Sequence, residues 1–203
     1  MPKSKVSSSK IIGLTGPIGA GKDAAAKILK RRGACIVDAD ALAHKLYITQ
    51  TPLWHELVKA FGSKILMRGG KINRKKLGEI VFSDKRKLKA LDRLVHPCLK
   101  QKIIEAIASC QSSVVSCQLI VINAAVLKEI GLLNLVDQVW LVTAPKEMRL
   151  KRLIGKGLPV KEARCRINAQ SSARGYSKLA DVVINNTGTL KQLSGKIQTN
   201  LQF

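Results

Sequence analysis

Gly16-Pro17-Ile18-Gly19-Ala20-Gly21-Lys22-Asp23 is the stretch on which the reading of this chain turns. It follows the apolar run Ile11-Ile12-Gly13-Leu14 and leads directly into Ala24, Ala25, Ala26, Ile28 and Leu29, which are strong helix formers with one apolar face. Strand, glycine-rich loop and helix in that order turn a phosphate-loop pattern into a mechanism. Glycines let the backbone bring N–H groups close to an anion, and the helix opening near Gly21 adds unpaired N–H groups and the positive end of its dipole. Lys22 adds a mobile charge for the outer phosphates. Gly16, Ile18, Gly19, Ala20, Gly21, Lys22, Asp23 and Ala24 are therefore the candidate nucleotide-binding residues. A glycine-rich turn that binds nothing would account for the glycines, but not for a lysine after the last of them. One position departs from G-x-x-x-x-G-K-[ST]: the hydroxyl that normally ligates Mg²⁺ is replaced by Asp23.

Working outward, Gly33 ends the first helix and Cys35-Ile36-Val37 reads as a buried strand closing at Asp38-Ala39-Asp40. The two carboxylates stand at the carboxyl end of that strand, where open parallel sheets place ligands. A helix is expected from Ala41, so Asp40 also reads as its N-cap. Residues 49–117 carry helical patterning: Thr51-Pro52 and Asn73 as helix starts, a helix capped by Ser83 or Asp84, and a separate helix opened by Pro97. Apolar runs return at 119–123 and 139–142, with a helical piece at 126–130 between them. Basic helical segments at 145–154 and 161–170, a strand at 182–184, the turn Asn185-Asn186-Thr187-Gly188 and an amphipathic helix at 190–201 complete the chain. Five strands alternating with helices predict an α/β parallel sheet of the mononucleotide-binding kind.

The chain has 203 residues, 46% of them apolar, enough for one sizeable core, perhaps with a small inserted domain. No apolar run reaches the ~18 residues of a membrane span, and the basic, Ser-rich residues 1–9 lack the apolar core of a secretory signal, so they are expected to form a disordered tail. Five scattered cysteines, with no C-x-x-C pair, argue against a disulfide framework or zinc site and for a reducing, cytoplasmic setting. The net charge of +23 fits a polyanionic small-molecule substrate or a solvated basic surface. An aromatic fraction of 3% counts against platforms for stacking single-stranded nucleic acid, so neither nucleic acid nor membrane is an expected partner.

These residues together resemble the dephospho-coenzyme A kinase family. The carriers are Thr15 through Asp23; Asp38-Ala39-Asp40; Ile80-Val81-Phe82-Ser83-Asp84 with Leu88, Leu91 and His96-Pro97; Arg166 to Gln170; and Ala180 through Gly188. The resemblance runs from about residue 10 to the end. It implies a three-layer fold of the P-loop NTP hydrolase type. In it, a nucleotide-binding core (10–48 and 118–203) would include a lid at about 147–170, and a helical substrate-binding insertion would span 49–117. It also implies a monomer or small homo-oligomer that uses ATP and Mg²⁺ to phosphorylate the ribose 3′-hydroxyl of dephospho-coenzyme A. Another small-molecule or nucleotide kinase, or an ATP-binding protein with impaired catalysis, is the alternative.

Carried onto this sequence, the resemblance makes Lys22, Asp40 and Arg152 the catalytic candidates. Lys22 would neutralise the β- and γ-phosphates, Asp40 would orient the alcohol and accept its proton, and Arg152 would close over the phosphates from the lid. Asp38, Asp40 and His96 are the substrate-binding candidates, His96 reading equally as a structural histidine held extended before Pro97. Arg149 and Lys151 read as a solvated helix face, and Lys156 as the nearest match to a later lid arginine. Asn185 to Gly188 is either a turn beside the adenine or a plain connection. Three departures from the family pattern stand out: Pro17 for a glycine, Asp23 for Ser or Thr, and Asn123-Ala124-Ala125-Val126-Leu127-Lys128-Glu129 for D-x-P-L-L-F-E. The last removes a carboxylate, and Asp23 is the candidate metal ligand that would supply it.

Overall fold

A computed structural model describes residues 9–112, 117–169 and 177–201; most of the basic tail, part of the polar loop before residue 117, and Gln170 lie outside the described residues. The chain divides into two compact units, Met1–Val37 with Ile107–Phe203, and Asp38–Ala106.

The first unit is built on a five-stranded sheet. Its strands are β1 (Lys10–Thr15), β2 (Cys35–Asp38), β3 (Leu119–Asn123), β4 (Gln138–Thr143) and β5 (Val182–Asn185), in the order β2-β3-β1-β4-β5. β1 lies parallel to both β3 and β4, with Leu14 opposite Asn123 and Thr15 opposite Leu141, and β4 lies parallel to β5. All five residues of β3 are buried, as a strand with covered faces requires. Helix α1 (Lys22–Arg31) turns Ala25, Ala26 and Leu29 onto the sheet against Ile12, Leu14, Val121 and Trp140. Gly33, at φ 88, takes the left-handed position that lets the chain double back into β2.

The Asp38–Ala106 unit is helical. It holds α2 (Ala39–Lys45), α3 (Pro52–Phe61), α4 (Arg74–Phe82) and most of α5 (Lys85–Ser112), around a core of Leu53, Leu57, Phe61, Ile65, Leu77 and Val81. Thr51 and Asn73 cap α3 and α4 through side-chain acceptors, and Asp84 accepts from the Arg86 and Lys87 amides at the start of α5, as their positions predict. Back in the first unit are α6 (Lys146–Gly155), α7 (Val160–Ala169) and α8 (Leu190–Asn200), the last opened by a Thr189/Gln192 capping box.

Four expectations are corrected. Pro97 does not open a helix; it lies inside α5, so His96 is helical rather than extended. Residues 125–131 form successive turns instead of a helix at 126–130, with a short 3-10 turn at Leu133–Leu135. Helix α2 starts at Ala39 rather than Ala41, and its cap is Asp38, which accepts from the Ala41 amide at 2.9 Å. The cysteines are not all unpaired: Cys35 and Cys117 form a disulfide, with Cα atoms 6.1 Å apart. They stand at the entrances of β2 and β3, which neighbour each other in the sheet although 82 residues separate the cysteines. The pairing withdraws the argument from cysteine spacing for a reducing compartment.

Candidate active site

The loop between β1 and α1 leaves the sheet at its carboxyl edge. A side chain at Gly16 would run into the Val142 carbonyl of β4, and one at Gly21 (φ 101) would run into the Asn186 side-chain amide. The glycines thus answer both to backbone conformation and to close packing. The Ala20 amide closes the loop on the Pro17 carbonyl at 3.0 Å, and α1 begins at Lys22. Its first-turn N–H groups and dipole face the loop's concavity, an anion site by construction.

Lys22 is nearly buried, its side chain 11% exposed, and its Nζ donates to Asn123 Oδ1 at 2.8 Å. That contact follows from register. Leu14 pairs with Asn123 across the β1–β3 ladder, so the loop and the end of β3 emerge side by side. Asp23, 66% exposed, places Oδ1 3.5 Å from the same Nζ. Among the described residues no cluster of three His, Cys, Asp or Glu side chains could hold a metal by itself. A lone exposed carboxylate beside a phosphate loop nevertheless fits Mg²⁺, which takes one or two carboxylates and completes its shell with water and substrate phosphate.

The far side of the loop is held from α6 and from the turn after β5. Arg152 Nη1 donates to the carbonyls of Ala20 at 3.0 Å and Gly19 at 3.3 Å, while its Nη2 donates to Asn186 O at 2.8 Å. Asn186 Nδ2 donates to the Ala20 carbonyl at 2.8 Å. Arg149 Nη1 reaches the Ile18 carbonyl at 3.4 Å; its Nε is buried without a partner among the described residues, and burial lowers its pKa from the ordinary arginine value. Arg149 is therefore not the solvated residue its position implied, whereas Lys151 is exposed. Ile18 packs against the α6–α7 core of Leu150, Leu153, Ala163 and Ile167. An open groove of about 620 Å³ continues from Asp23 and Ala24 along α1, flanked by Lys27, Lys156, Leu190 and Lys191.

The candidates thus fall into two groups. Gly16, Ile18 to Ala24, and Arg152 come together in the first unit. Asp38, Asp40 and His96 belong to the helical unit: Asp38 as the cap of α2, Asp40 exposed in its first turn, and His96 with Nε2 3.6 Å from Asp92. Sequence reasoning read Asn186 only as part of a turn and so missed its bond to the loop, and it missed the inward face of Arg149. Arg149 lies three residues before Arg152, on the same helical face.

A model of the family described as dephospho-CoA kinase matches residues 10–192. The chain belongs to the dephospho-CoA kinase family. A dephospho-CoA kinase of Carboxydothermus hydrogenoformans is 39% identical over 95% of this chain and 93% of its own length, and one of Thermobifida fusca is 35% identical over 92% of each. Among solved structures, TT1252 from Thermus thermophilus superposes with a TM-score of 0.78 at 31% identity, covering 96% of this chain and 99% of its own. Dephospho-CoA kinase from Campylobacter jejuni superposes at 0.70 and 27% identity, covering 96% of each. A shikimate kinase of Bacteroides thetaiotaomicron, at 0.53 and 15% identity over 94% of this chain and 96% of its own, shares the fold alone.

Proposed function

We propose that this dephospho-CoA kinase family member transfers the γ-phosphoryl group of ATP to the ribose 3′-hydroxyl of dephospho-coenzyme A. The observation that carries the reading is Lys22: a nearly buried lysine at the start of α1, inside a phosphate loop, held among the described residues by a neutral amide and a solvent-facing carboxylate. Binding of the outer phosphates offers the same ammonium more highly charged acceptors than the amide and the single carboxylate.

The alcohol oxygen attacks the γ-phosphorus, the bond to the bridging oxygen breaks, and ADP leaves with that electron pair. Phosphoryl transfer of this kind is mostly positioning and charge neutralisation. The loop N–H groups and Lys22 bind the β- and γ-phosphates, and the groove along α1 takes the rest of the nucleotide. Asp40, exposed in the first turn of α2, accepts the proton from the 3′-hydroxyl. With Asp38 occupied as the cap, capping and proton transfer are divided between the two carboxylates. His96 contributes to acceptor binding from α5. Asp23 would hold Mg²⁺, which would supply charge neutralisation at the phosphates.

The test is ADP release from ATP with and without dephospho-coenzyme A, in wild type and Asp40→Asn. Release that depends on the acceptor, with kcat reduced about 10²–10⁴-fold in the variant and ATP affinity retained, is the expected result. Stimulation by a nucleotide acceptor instead would overturn the choice of substrate, and near-normal turnover of Asp40→Asn would overturn the base assignment.

A further inference from the structure

The buried polar side chains described in this protein are Thr15, Asn123 and Asn186. All three stand at or just beyond the carboxyl ends of strands, beside the phosphate loop. Thr15 donates to the Ala125 carbonyl at 3.3 Å and Asn123 accepts Lys22 at 2.8 Å. Asn186, 7% exposed, donates to the Ala20 carbonyl at 2.8 Å. A buried amide is retained only where its hydrogen bonds are made, because an unmatched one destabilises the fold. Asn186 meets that condition through the loop itself, and its backbone is anchored on both sides: its N–H donates to Thr143 O at 2.8 Å and its carbonyl accepts Arg152 Nη2 at 2.8 Å.

A loop that offers its N–H groups to an anion must turn its carbonyls the other way. Those carbonyls then need donors. Here the consecutive carbonyls of Ile18, Gly19 and Ala20 each accept from outside the loop, from Arg149, from Arg152, and from Arg152 together with Asn186. Ala20 O, immediately before Gly21 and Lys22, thus takes two donors from two different elements. The absence of a side chain at Gly21 is what admits the Asn186 amide to this position. An aspartate of the same shape would oppose an acceptor to an acceptor, so the geometry selects the amide.

We propose that Asn186, acting with Arg152, is a positioning residue for phosphate binding. The pair fixes the Ala20 carbonyl outward and so presets the N–H groups of the loop for the donor's phosphates. Arg152 is spent on the loop's outer side and acts through backbone geometry rather than by closing over the phosphates. The inference rests on the reading of Gly16 to Asp23 as a phosphate loop and adds how that loop is held.

Calorimetric titration of wild type, Lys22→Ala, Asn186→Ala and Arg152→Lys with pyrophosphate and with ATP, together with steady-state KM values and Tm, tests it. Asn186→Ala is expected to weaken pyrophosphate and ATP about tenfold, the effect of losing one preorganising hydrogen bond of ~1.4 kcal/mol. KM for ATP should rise in step, and KM for dephospho-coenzyme A should stay within about twofold. Arg152→Lys keeps the charge but cannot fork across three carbonyls, and is expected to show the same split. It also supplies the test should Asn186→Ala not fold. Pyrophosphate affinity within about twofold of wild type in either folded variant, or equal rises in both KM values, would overturn the positioning role while leaving the loop's function intact. Failure of wild type to bind pyrophosphate any better than Lys22→Ala would overturn the loop reading and this inference together.

Discussion

At the scale of single residues, the loop and its partners were unequally legible. Gly16 to Lys22 could be read from spacing because a phosphate cradle is local: its geometry is contained in eight consecutive residues. Asn123 and Asn186 act on it from 101 and 166 positions away in sequence, through side chains brought in by the sheet, and no local pattern announces such contacts. The amide at 123 has a consequence of its own. A carboxylate there, 2% exposed, would form a buried pair with Lys22, and drawing the lysine away to a phosphate would strand an uncompensated charge. Asn123 holds Lys22 without that penalty, and the negative charge is displaced to Asp23, where water reaches it. If Asp23 is the carboxylate that meets the metal, Asp23→Ser should weaken Mn²⁺ binding to the nucleotide complex about tenfold, read by electron paramagnetic resonance, and shift the Mg²⁺ requirement upward by a similar factor. Full activity with an unchanged Mg²⁺ dependence would show that the carboxylate serves another purpose.

Among elements, strands and capped helices were readable and the long helix was not. Thr51, Asn73 and Asp84 cap where their side chains predict, because capping is settled within a few residues. Asp38 rather than Asp40 caps α2 because β2 passes into the helix with no intervening loop, a boundary that propensity does not resolve. Pro97 was read as a start signal. A proline inside a helix loses a hydrogen bond and clashes with the preceding turn, at ~3 kcal/mol. Against this, α5 buries Val95, Leu99, Ile103 and Ile107, spaced four apart across the proline. At roughly 1.5–3 kcal/mol each, they outweigh it. Pro97→Ala should therefore raise stability in urea unfolding, by about 1–3 kcal/mol. A loss of stability would mean that the proline ring is itself used in packing. The turns at 125–131 read as a helix because Leu127 and Ile130 are apolar and three apart, a helical spacing that buried turns also satisfy.

The whole molecule carries +23 charges on 203 residues, and its described residues include no helix long and apolar enough to cross a membrane. A field of that size attracts polyanions, and both proposed substrates are polyanions. Because salt shortens the range of that attraction, kcat/KM for ATP should fall about three- to tenfold between ~0.05 and ~0.5 M salt, with kcat nearly constant. A flat profile would assign the charge to solubility alone. The Cys35–Cys117 bond bears on the whole chain in another way. It joins one cysteine just before the helical unit to another just after it, so that Asp38–Ala106 lies inside a covalent ring. Closing a loop of 82 residues restricts the unfolded chain by ~4.5 kcal/mol in the entropic account of cross-links. A single protease cut anywhere in that unit would open the ring without releasing a fragment. The nicked protein should migrate as one band until a reductant is added and as two afterwards, giving the helical unit a tether that survives its own cleavage.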